Sequence, residues 1–239
     1  MEIGLQNTAL IMIDVQNDFC PSYIDSRGSP RAPGVLAVRE GDKIVQPLNT
    51  VSEYFYRNGR PVVATQDWHP AGHVSFASSH PGAEINDIVK TGTNRKGADS
   101  AGSVEQVLWP DHCVQGSPGA DFHDLLELNP VSCIIRKGMS EWVDSYSAFF
   151  DNDHSTATGL DGFLKSLGIK KICIGGLATD YCILYSAIDA VRLGYEVAVF
   201  EDAVRGVGFP AGSIENAIKT MRGAGVRFLN TQDILSGSV

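Results

Sequence analysis

The segment "GGLATDYC", residues 175–182, places a cysteine where a thiol can act as a nucleophile. It follows the apolar run "KICI" and precedes "ILYSAIDAVRLG", whose spacing predicts a helix, so Cys182 lies at a predicted helix N-terminus. The N–H groups and the dipole there favour the thiolate, which is the attacking form and has a lowered pKa in such places. Asp14 and Lys137 each follow another apolar run and can take the thiol proton and stabilise the charge. The alternative is a small buried core residue, which most cysteines are.

A group of possible metal ligands is the second indication of chemistry. In "QDWH", Asp67 and His69 are two residues apart, so both point to the same side of an extended segment. His112, in the distant "WPDHC", can supply a third ligand, and His73 is a weaker candidate for a fourth. One carboxylate and two imidazoles suit Zn, Fe or Mn and leave positions open for water or substrate. A lone D-x-H is common, so a surface histidine without a metal is the alternative.

Short apolar runs that predict strands alternate along the chain with segments of helical period. The runs lie at 8–14, 61–65, 131–136, 171–176, 195–200 and 226–230. The helical segments lie at 41–59, 159–168, 180–194 and 213–225. This alternation predicts an α/β fold, a single doubly wound domain over residues 1–239 with a mostly parallel sheet of about six strands flanked by helices in Rossmann-type layering. Ligands of such sheets bind beyond the carboxyl ends of the strands, which is where the reactive residues fall.

Two segments do not fit regular elements. Residues 21–35, "PSYIDSRGSPRAPGV", form a loop rich in Pro, Gly and Ser. Residues 66–130 are long and irregular and hold most of the six histidines, and a loop of that length inside a compact domain is usually functional.

Net charge, cysteine spacing and the lack of certain motifs argue against several classes of function. The net charge of -9 argues against nucleic acid or an anionic membrane as a partner, and no apolar run reaches the roughly 18 residues of a membrane span. Five scattered cysteines without a CxxC pair favour a reducing compartment, so we expect a cytoplasmic protein, with Cys133 and Cys173 as structural residues. The turn "DVQNDFC" has no GxGxxG, which disfavours an NAD-dependent dehydrogenase.

Several long motifs, in order, resemble the nicotinamidases among the isochorismatase-like cysteine hydrolases. They are "IDVQNDFC", "QDWHPAGHVSFASSHPG", "WPDHCVQGSPGADFH", "RKG" followed by "DSYSAFFDN", and "GLATDYC". The resemblance covers roughly residues 8–230. It implies hydrolysis of nicotinamide to nicotinate and ammonia through a thioester, in NAD salvage, with pyrazinamide as a further substrate of many members.

The resemblance also implies a role for individual residues. It implies a catalytic triad of Asp14, Lys137 and Cys182, and one divalent metal ion, most often zinc, on Asp67, His69 and His112. The metal would hold the pyridine nitrogen. Phe19, Trp109 and Tyr146 match positions that wall the ring pocket, although core packing is the alternative for each. A cis peptide between Leu177 and Ala178 would aim the Ala178 N–H, with that of Cys182, at the oxyanion.

Two other functions stay open at this point. A sister amidase for carbamoyl or ureido substrates would use the same triad, generally without a metal. A catalytically silent metal-binding or interaction protein is the alternative from another class. The 21–35 loop is longer than in compact members, so we expect it to cover part of the pocket or to serve a subunit contact in a possible homo-oligomer.

Overall fold

The computed structural model describes residues 5–92 and 103–237. The strands in chain order are β1 (Thr8–Ile13), β2 (Tyr23–Ile24), β3 (Pro30–Arg31), β4 (Val62–Asp67), β5 (Ile88–Thr91), β6 (Val104–Val107), β7 (Val131–Lys137), β8 (Lys171–Leu177), β9 (Glu196–Arg205) and β10 (Arg227–Leu229). The α-helices are α1 (Val45–Arg57), α2 (Leu160–Ser166), α3 (Leu184–Arg192), α4 (Ser213–Gly223) and α5 (Thr231–Leu235).

Six of these strands form one sheet in the order β10-β9-β8-β1-β4-β7, and every neighbouring pair is parallel. The predicted α/β fold with a parallel sheet of six strands is therefore confirmed. The other strands form two small antiparallel pairs, β2 with β3 and β5 with β6. All six predicted strands are present, each at one of the six apolar runs.

The alternation of side chains along β1 divides the core into two layers. Leu10 and Met12 point to the layer that packs against α1 and α5, whereas Ala9 and Ile11 point to the layer of α2, α3 and α4. Both faces of β1 are fully buried, which is why this strand reads as a continuous apolar run. β7 lies at an edge of the sheet, and its burial alternates along the strand instead.

Some element boundaries differ from the predicted ones. The predicted helix at 41–59 is a 3-10 turn, Gly41–Ile44, followed by α1, and the predicted helix at 180–194 begins with a π-helical turn, Thr179–Ile183, before α3. β9 runs on to Arg205 although the apolar run stops at Phe200, because its parallel pairing with β8 continues past a bulge. The sequence did not predict α5 or either of the small antiparallel pairs of strands.

The segment 66–130 is long, as expected, and backbone hydrogen bonds join separate parts of it to one another. His69 N–H donates to Cys113 O over 3.0 Å, and Trp109 N–H donates to Ser75 O over 2.8 Å. None of the helices in the described ranges is long and apolar enough to cross a membrane. The domain bounds of 1–239 stay a prediction, since residues 1–4, 93–102 and 238–239 lie outside the described residues.

Replacement of Gly176 by Ala should destabilise the fold by about 3 kcal/mol or more. Gly176 has φ of 131°, and a Cβ there would lie 2.0 Å from the carbonyl oxygen of Ile13, its neighbour on β1. Gly162→Ala in α2 is the control, because a Cβ there meets nothing within 4 Å. Urea unfolding of both variants measures the effect, and equal free energies of unfolding would contradict the close approach of β8 and β1.

Candidate active site

Four neighbouring strands, β8, β1, β4 and β7, bring their carboxyl ends together at one edge of the sheet. Asp14 follows β1, while Asp67 and Lys137 are the last residues of β4 and β7 and are partners in register. Cys182 lies in the π-helical turn that follows β8. The rule that strand ends share an edge therefore explains why residues up to 168 positions apart in sequence (182 − 14) meet in space.

The ammonium group of Lys137 is the centre of this cluster and is fully buried. Its Nζ lies 2.9 Å from Asp14 Oδ2 and 2.5 Å from Asp67 Oδ1, and it donates to the carbonyl oxygen of Ser145 over 2.8 Å. Cys182 Sγ is 3.5 Å away. Burial lowers the pKa of Lys137, but the two carboxylates outweigh it and raise that pKa well above its usual value. Lys137 is therefore a permanent positive charge between a thiol and two acids.

Asp14 has the environment of a general base. Its backbone has φ of 50°, its N–H donates to Thr65 Oγ1 over 3.1 Å, and the Thr65 hydroxyl donates to Asp14 Oδ1 over 2.5 Å. Burial raises the pKa of Asp14 to about 6, although Lys137 opposes this rise. A carboxylate with that pKa is ionised at neutral pH but holds a proton better than an exposed aspartate does.

The structure corrects one expectation about Cys182. We expected the helix N-terminus to lower the pKa of the thiol, but burial raises that pKa well above its usual value. Lys137 lowers the pKa, and Asp14, which accepts a hydrogen bond from the thiol, raises it again. Burial therefore favours the neutral thiol, and Asp14 is placed to accept its proton.

The three predicted metal ligands, Asp67, His69 and His112, are buried, and one ligand atom from each lies within 4.8 Å of the others. His69 Nδ1 is 2.9 Å from Gly138 O and His112 Nδ1 is 2.8 Å from Pro110 O, so each imidazole donates there and leaves Nε2 for a ligand. Burial lowers the pKa of His69 well below its usual value, which keeps it neutral. A carboxylate and two such imidazoles fit a divalent metal ion.

The segment that carries His112 is positioned by contacts with two other parts of the chain. Cys113 has φ of 47°, and its N–H donates to Asp18 Oδ2 over 2.7 Å. Gln115 N–H donates to His69 O over 2.8 Å. Asp18 lies just beyond β1 and holds the segment that carries His112, whereas Asp67 is the last residue of β4. The same edge of the sheet therefore positions the ligands from both parts of the chain.

His73 belongs to a different group from Asp67. Its ligand atoms cluster with those of His69 and Asp144, and its Nδ1 is 2.7 Å from Ser75 Oγ. The His73 ring stacks on that of His69 with centroids 4.1 Å apart. Its Nε2 has no hydrogen-bond partner among the described residues.

A narrow cleft lies over these groups. Its lining includes the four residues predicted for substrate binding, together with Cys182 and two of the ligand residues: Phe19, Trp109, Tyr146, Ala178, Asp67 and His112. Trp109 Nε1–H donates to the Tyr146 hydroxyl over 3.3 Å. The expected cis peptide between Leu177 and Ala178 is present.

The sequence reading missed four further lining residues: Leu36, Asp144, Tyr181 and Val207. Asp144 and Tyr181 lie in the motifs "DSYSAFFDN" and "GLATDYC" and could have been found there. Leu36 and Val207 come from loops whose paths depend on the tertiary fold. The 21–35 loop does not line this cleft among the described residues, although Leu36 directly follows it.

Asp180, beside the nucleophile turn, holds the loop that carries Val207. Its carboxylate accepts the N–H groups of Val207 and Gly208, each over 2.9 Å, and the hydroxyl of Ser213 over 2.5 Å. Tyr181 adds a hydrogen bond from its hydroxyl to Phe209 O over 2.6 Å. One wall of the cleft is therefore fastened to the turn that presents Cys182.

The isochorismatase domain family matches residues 8–233 of the chain. The chain belongs to this family. Among curated isochorismatase relatives, the nicotinamidase of Escherichia coli strain K12 is 39% identical over 225 residues, which are 94% of this chain and 95% of that protein.

Two solved structures show how closely the isochorismatase fold is kept. An Acinetobacter baumanii nicotinamidase pyrazinamidase has a TM-score of 0.82 and 41% identity, covering 96% of this chain and 98% of that one. A pyrazinamidase of Pyrococcus horikoshii in complex with zinc has a TM-score of 0.70 and 32% identity, covering 94% of this chain and 99% of that one.

Replacement of Lys137 by Met should destabilise the metal-free protein by about 3–5 kcal/mol, because two buried carboxylates lose their counter-charge. Lys165→Met, which removes an exposed pair with Asp161, is the control and should change stability by less than about 1 kcal/mol. Urea unfolding measures both free energies.

The stability lost in Lys137→Met should also depend on pH. The pKa of Asp14 is raised in the folded protein, so its contribution to stability is fully present below its unfolded pKa and is lost as the pH rises through about 6. Without Lys137 that pKa rises further. The stability gap between wild type and variant should therefore widen from about pH 5 to about pH 8. A constant gap would show that the Asp14–Lys137 contact does not contribute.

Proposed function

We propose that this protein is a nicotinamidase, a metal-dependent cysteine amidohydrolase that converts nicotinamide to nicotinate and ammonia. The observation that carries the proposal is the convergence of Cys182, Asp14 and Lys137 beneath a cleft that Asp67 and His112 also line. The similarity to nicotinamidases over nearly the whole chain supports the choice of substrate. Pyrazinamide, which has the same carboxamide on a related ring, is proposed as a further substrate.

The triad residues have these proposed roles in the first stage. Asp14 accepts the proton of the Cys182 thiol, and the thiolate sulfur attacks the amide carbon. The Ala178 and Cys182 N–H groups stabilise the oxyanion. The C–N bond then breaks, and ammonia leaves with the proton that Asp14 returns, so a thioester remains on Cys182. Lys137 keeps its charge throughout and stabilises both the thiolate and the carboxylate.

The second stage uses the same carboxylate again. Asp14 takes a proton from water, and the hydroxide attacks the thioester carbon. The C–S bond breaks, nicotinate leaves, and the sulfur recovers the proton from Asp14. Because Asp14 is buried and its pKa is about 6, it can alternate between proton acceptor and donor at neutral pH.

The ring of the substrate needs a separate set of contacts. Phe19, Trp109 and Tyr146 supply apolar walls for a flat aromatic ring. Asp67, His69 and His112 would hold one divalent ion, for which we propose zinc over iron or manganese, in line with the zinc complex of the related pyrazinamidase. When bound, the ion supplies a Lewis-acid contact for the pyridine nitrogen. The cytoplasmic location and the possible homo-oligomer stay predictions.

Ammonia release from nicotinamide should stop on chelation of the metal and return when zinc is added back. The physical reason is that the ring loses its anchor while the triad remains intact. A coupled ammonia assay measures turnover, and metal emission spectroscopy measures zinc content in the same samples. Absence of release from folded, zinc-loaded protein would reject the proposal and favour a carbamoyl or ureido substrate.

Cys182→Ala should lower kcat by about 10⁵-fold while metal content stays unchanged, because the nucleophile is lost and the ligand group is not. Cys133→Ala, on the edge strand β7, is the matched control and should keep full activity.

Asp67→Asn should lose both metal and turnover, whereas His154→Ala should keep the metal. Full zinc content in Asp67→Asn would disprove the ligand assignment.

A further inference from the structure

A second pocket shares Tyr146 with the cleft, since this residue lines both. It is bounded by β6, by the segment 146–154 and by α3. Its volume of about 100 Å³ exceeds the roughly 10–15 Å³ that a single water requires on the same measure. The pocket can therefore take a small molecule, and the proposed reaction makes no use of it.

The lining of this pocket is acidic. Asp151 and Asp189 are 8% and 3% exposed, and Glu105 adds a third carboxylate. Among its described lining residues, His154 is the one side chain that can carry a positive charge, and it is itself 47% exposed. Three carboxylates against one imidazole favour a cationic ligand.

Asp189 has an oxygen that the protein leaves without a partner. Its Oδ1 lies 3.1 Å from His154 Nε2 and 3.3 Å from Arg192 Nη1. Its Oδ2 is buried and has no hydrogen-bond partner among the described residues. A buried carboxylate oxygen without a partner is costly, so a positive charge in the pocket that Asp189 lines would lower the free energy of this arrangement.

The pKa of Asp151 also indicates that the pocket favours a cation. This pKa is raised to about 6, chiefly by burial and secondly by the neighbouring carboxylates of Asp153 and Asp144. A carboxylate that has a cationic partner normally shows the opposite shift. A positive charge in the pocket would offset both the burial and the repulsion.

Three aromatic side chains decide between a metal ion and an organic cation. Tyr146, Phe150 and Tyr185 line the pocket, and the rings of Tyr146 and Tyr185 are 5.3 Å apart. Aromatic faces beside carboxylates are the lining that recognises ammonium groups. Over the described ranges, none of the ligand groups close enough to hold a metal ion includes Asp151 or Asp189.

We propose that this pocket binds a small organic ammonium ion, held by the carboxylates of Asp189 and Asp151 and by the aromatic rings of Tyr185, Phe150 and Tyr146. The site is distinct from the cleft over Cys182, and its occupancy does not depend on which amide the enzyme hydrolyses. Failure of nicotinamide turnover would therefore leave this proposal standing.

The test is a titration of zinc-loaded, full-length protein with tetramethylammonium chloride, followed through backbone amide NMR shifts. We expect saturable shifts centred on Asn152, His154 and Asp189. tert-Butyl alcohol, which has nearly the same shape without the charge, and potassium chloride, which has the charge without the alkyl groups, should not produce them. The proposal is overturned if tetramethylammonium gives no saturable shifts, or if either control gives the same ones.

Two variants assign the contacts. Asp189→Asn should weaken binding about tenfold, because it removes one negative charge from the pocket lining at nearly constant shape. Tyr185→Leu should weaken it about fivefold, because bulk is kept and the aromatic face is lost. Tyr185 is 44% exposed, so this variant decides the question even if Asp189→Asn does not fold. Tyr56→Leu, an exposed tyrosine of α1, is the control, and equal affinity in all three would refute the assigned site.

Discussion

The buried ammonium group of Lys137 is the constraint on which the arrangement of the site depends. Removing an ammonium ion from water costs several kcal/mol, and only well-placed partners repay that cost. Here the partners are Asp14 at the end of β1, Asp67 at the end of β4 and the carbonyl oxygen of Ser145. Three segments must therefore keep their register to within hydrogen-bond distance, and the pairing of Asp67 with Lys137 across β4 and β7 provides it.

Asp67 links the two chemical groups of the site. Its Oδ1 contacts Lys137, while its Oδ2 lies 3.7 Å from His69 Nε2 in the group that can hold a metal ion. One carboxylate at a strand end is thus shared by the buried lysine of the triad and by the group that would hold the metal ion. Its two oxygens tie the position of the proposed ligands to that of Lys137.

The sequence was informative where the chemistry follows from strand order and uninformative where it follows from burial. Asp14, Asp67, Lys137 and Cys182 could be located because apolar runs mark the strands and ligands bind beyond their carboxyl ends. The pKa of Cys182 was predicted in the wrong direction, because a helix N-terminus is visible in sequence and the depth of the thiol is not. Leu36 and Val207 were not predicted, because they lie in loops whose paths depend on the tertiary fold.

The raised pKa of Cys182 has a consequence for the proposed reaction. Burial disfavours the thiolate, which is the attacking form, so the thiol proton has to move before the sulfur attacks. Asp14 is ionised at neutral pH and already accepts a hydrogen bond from the thiol, so the proton needs to move only a short distance when an amide is in place. Lys137 lowers the cost of the charge at that moment, because its position is fixed before the substrate arrives. Reactivity is thus tied to the presence of a substrate that aligns its carbonyl with the sulfur.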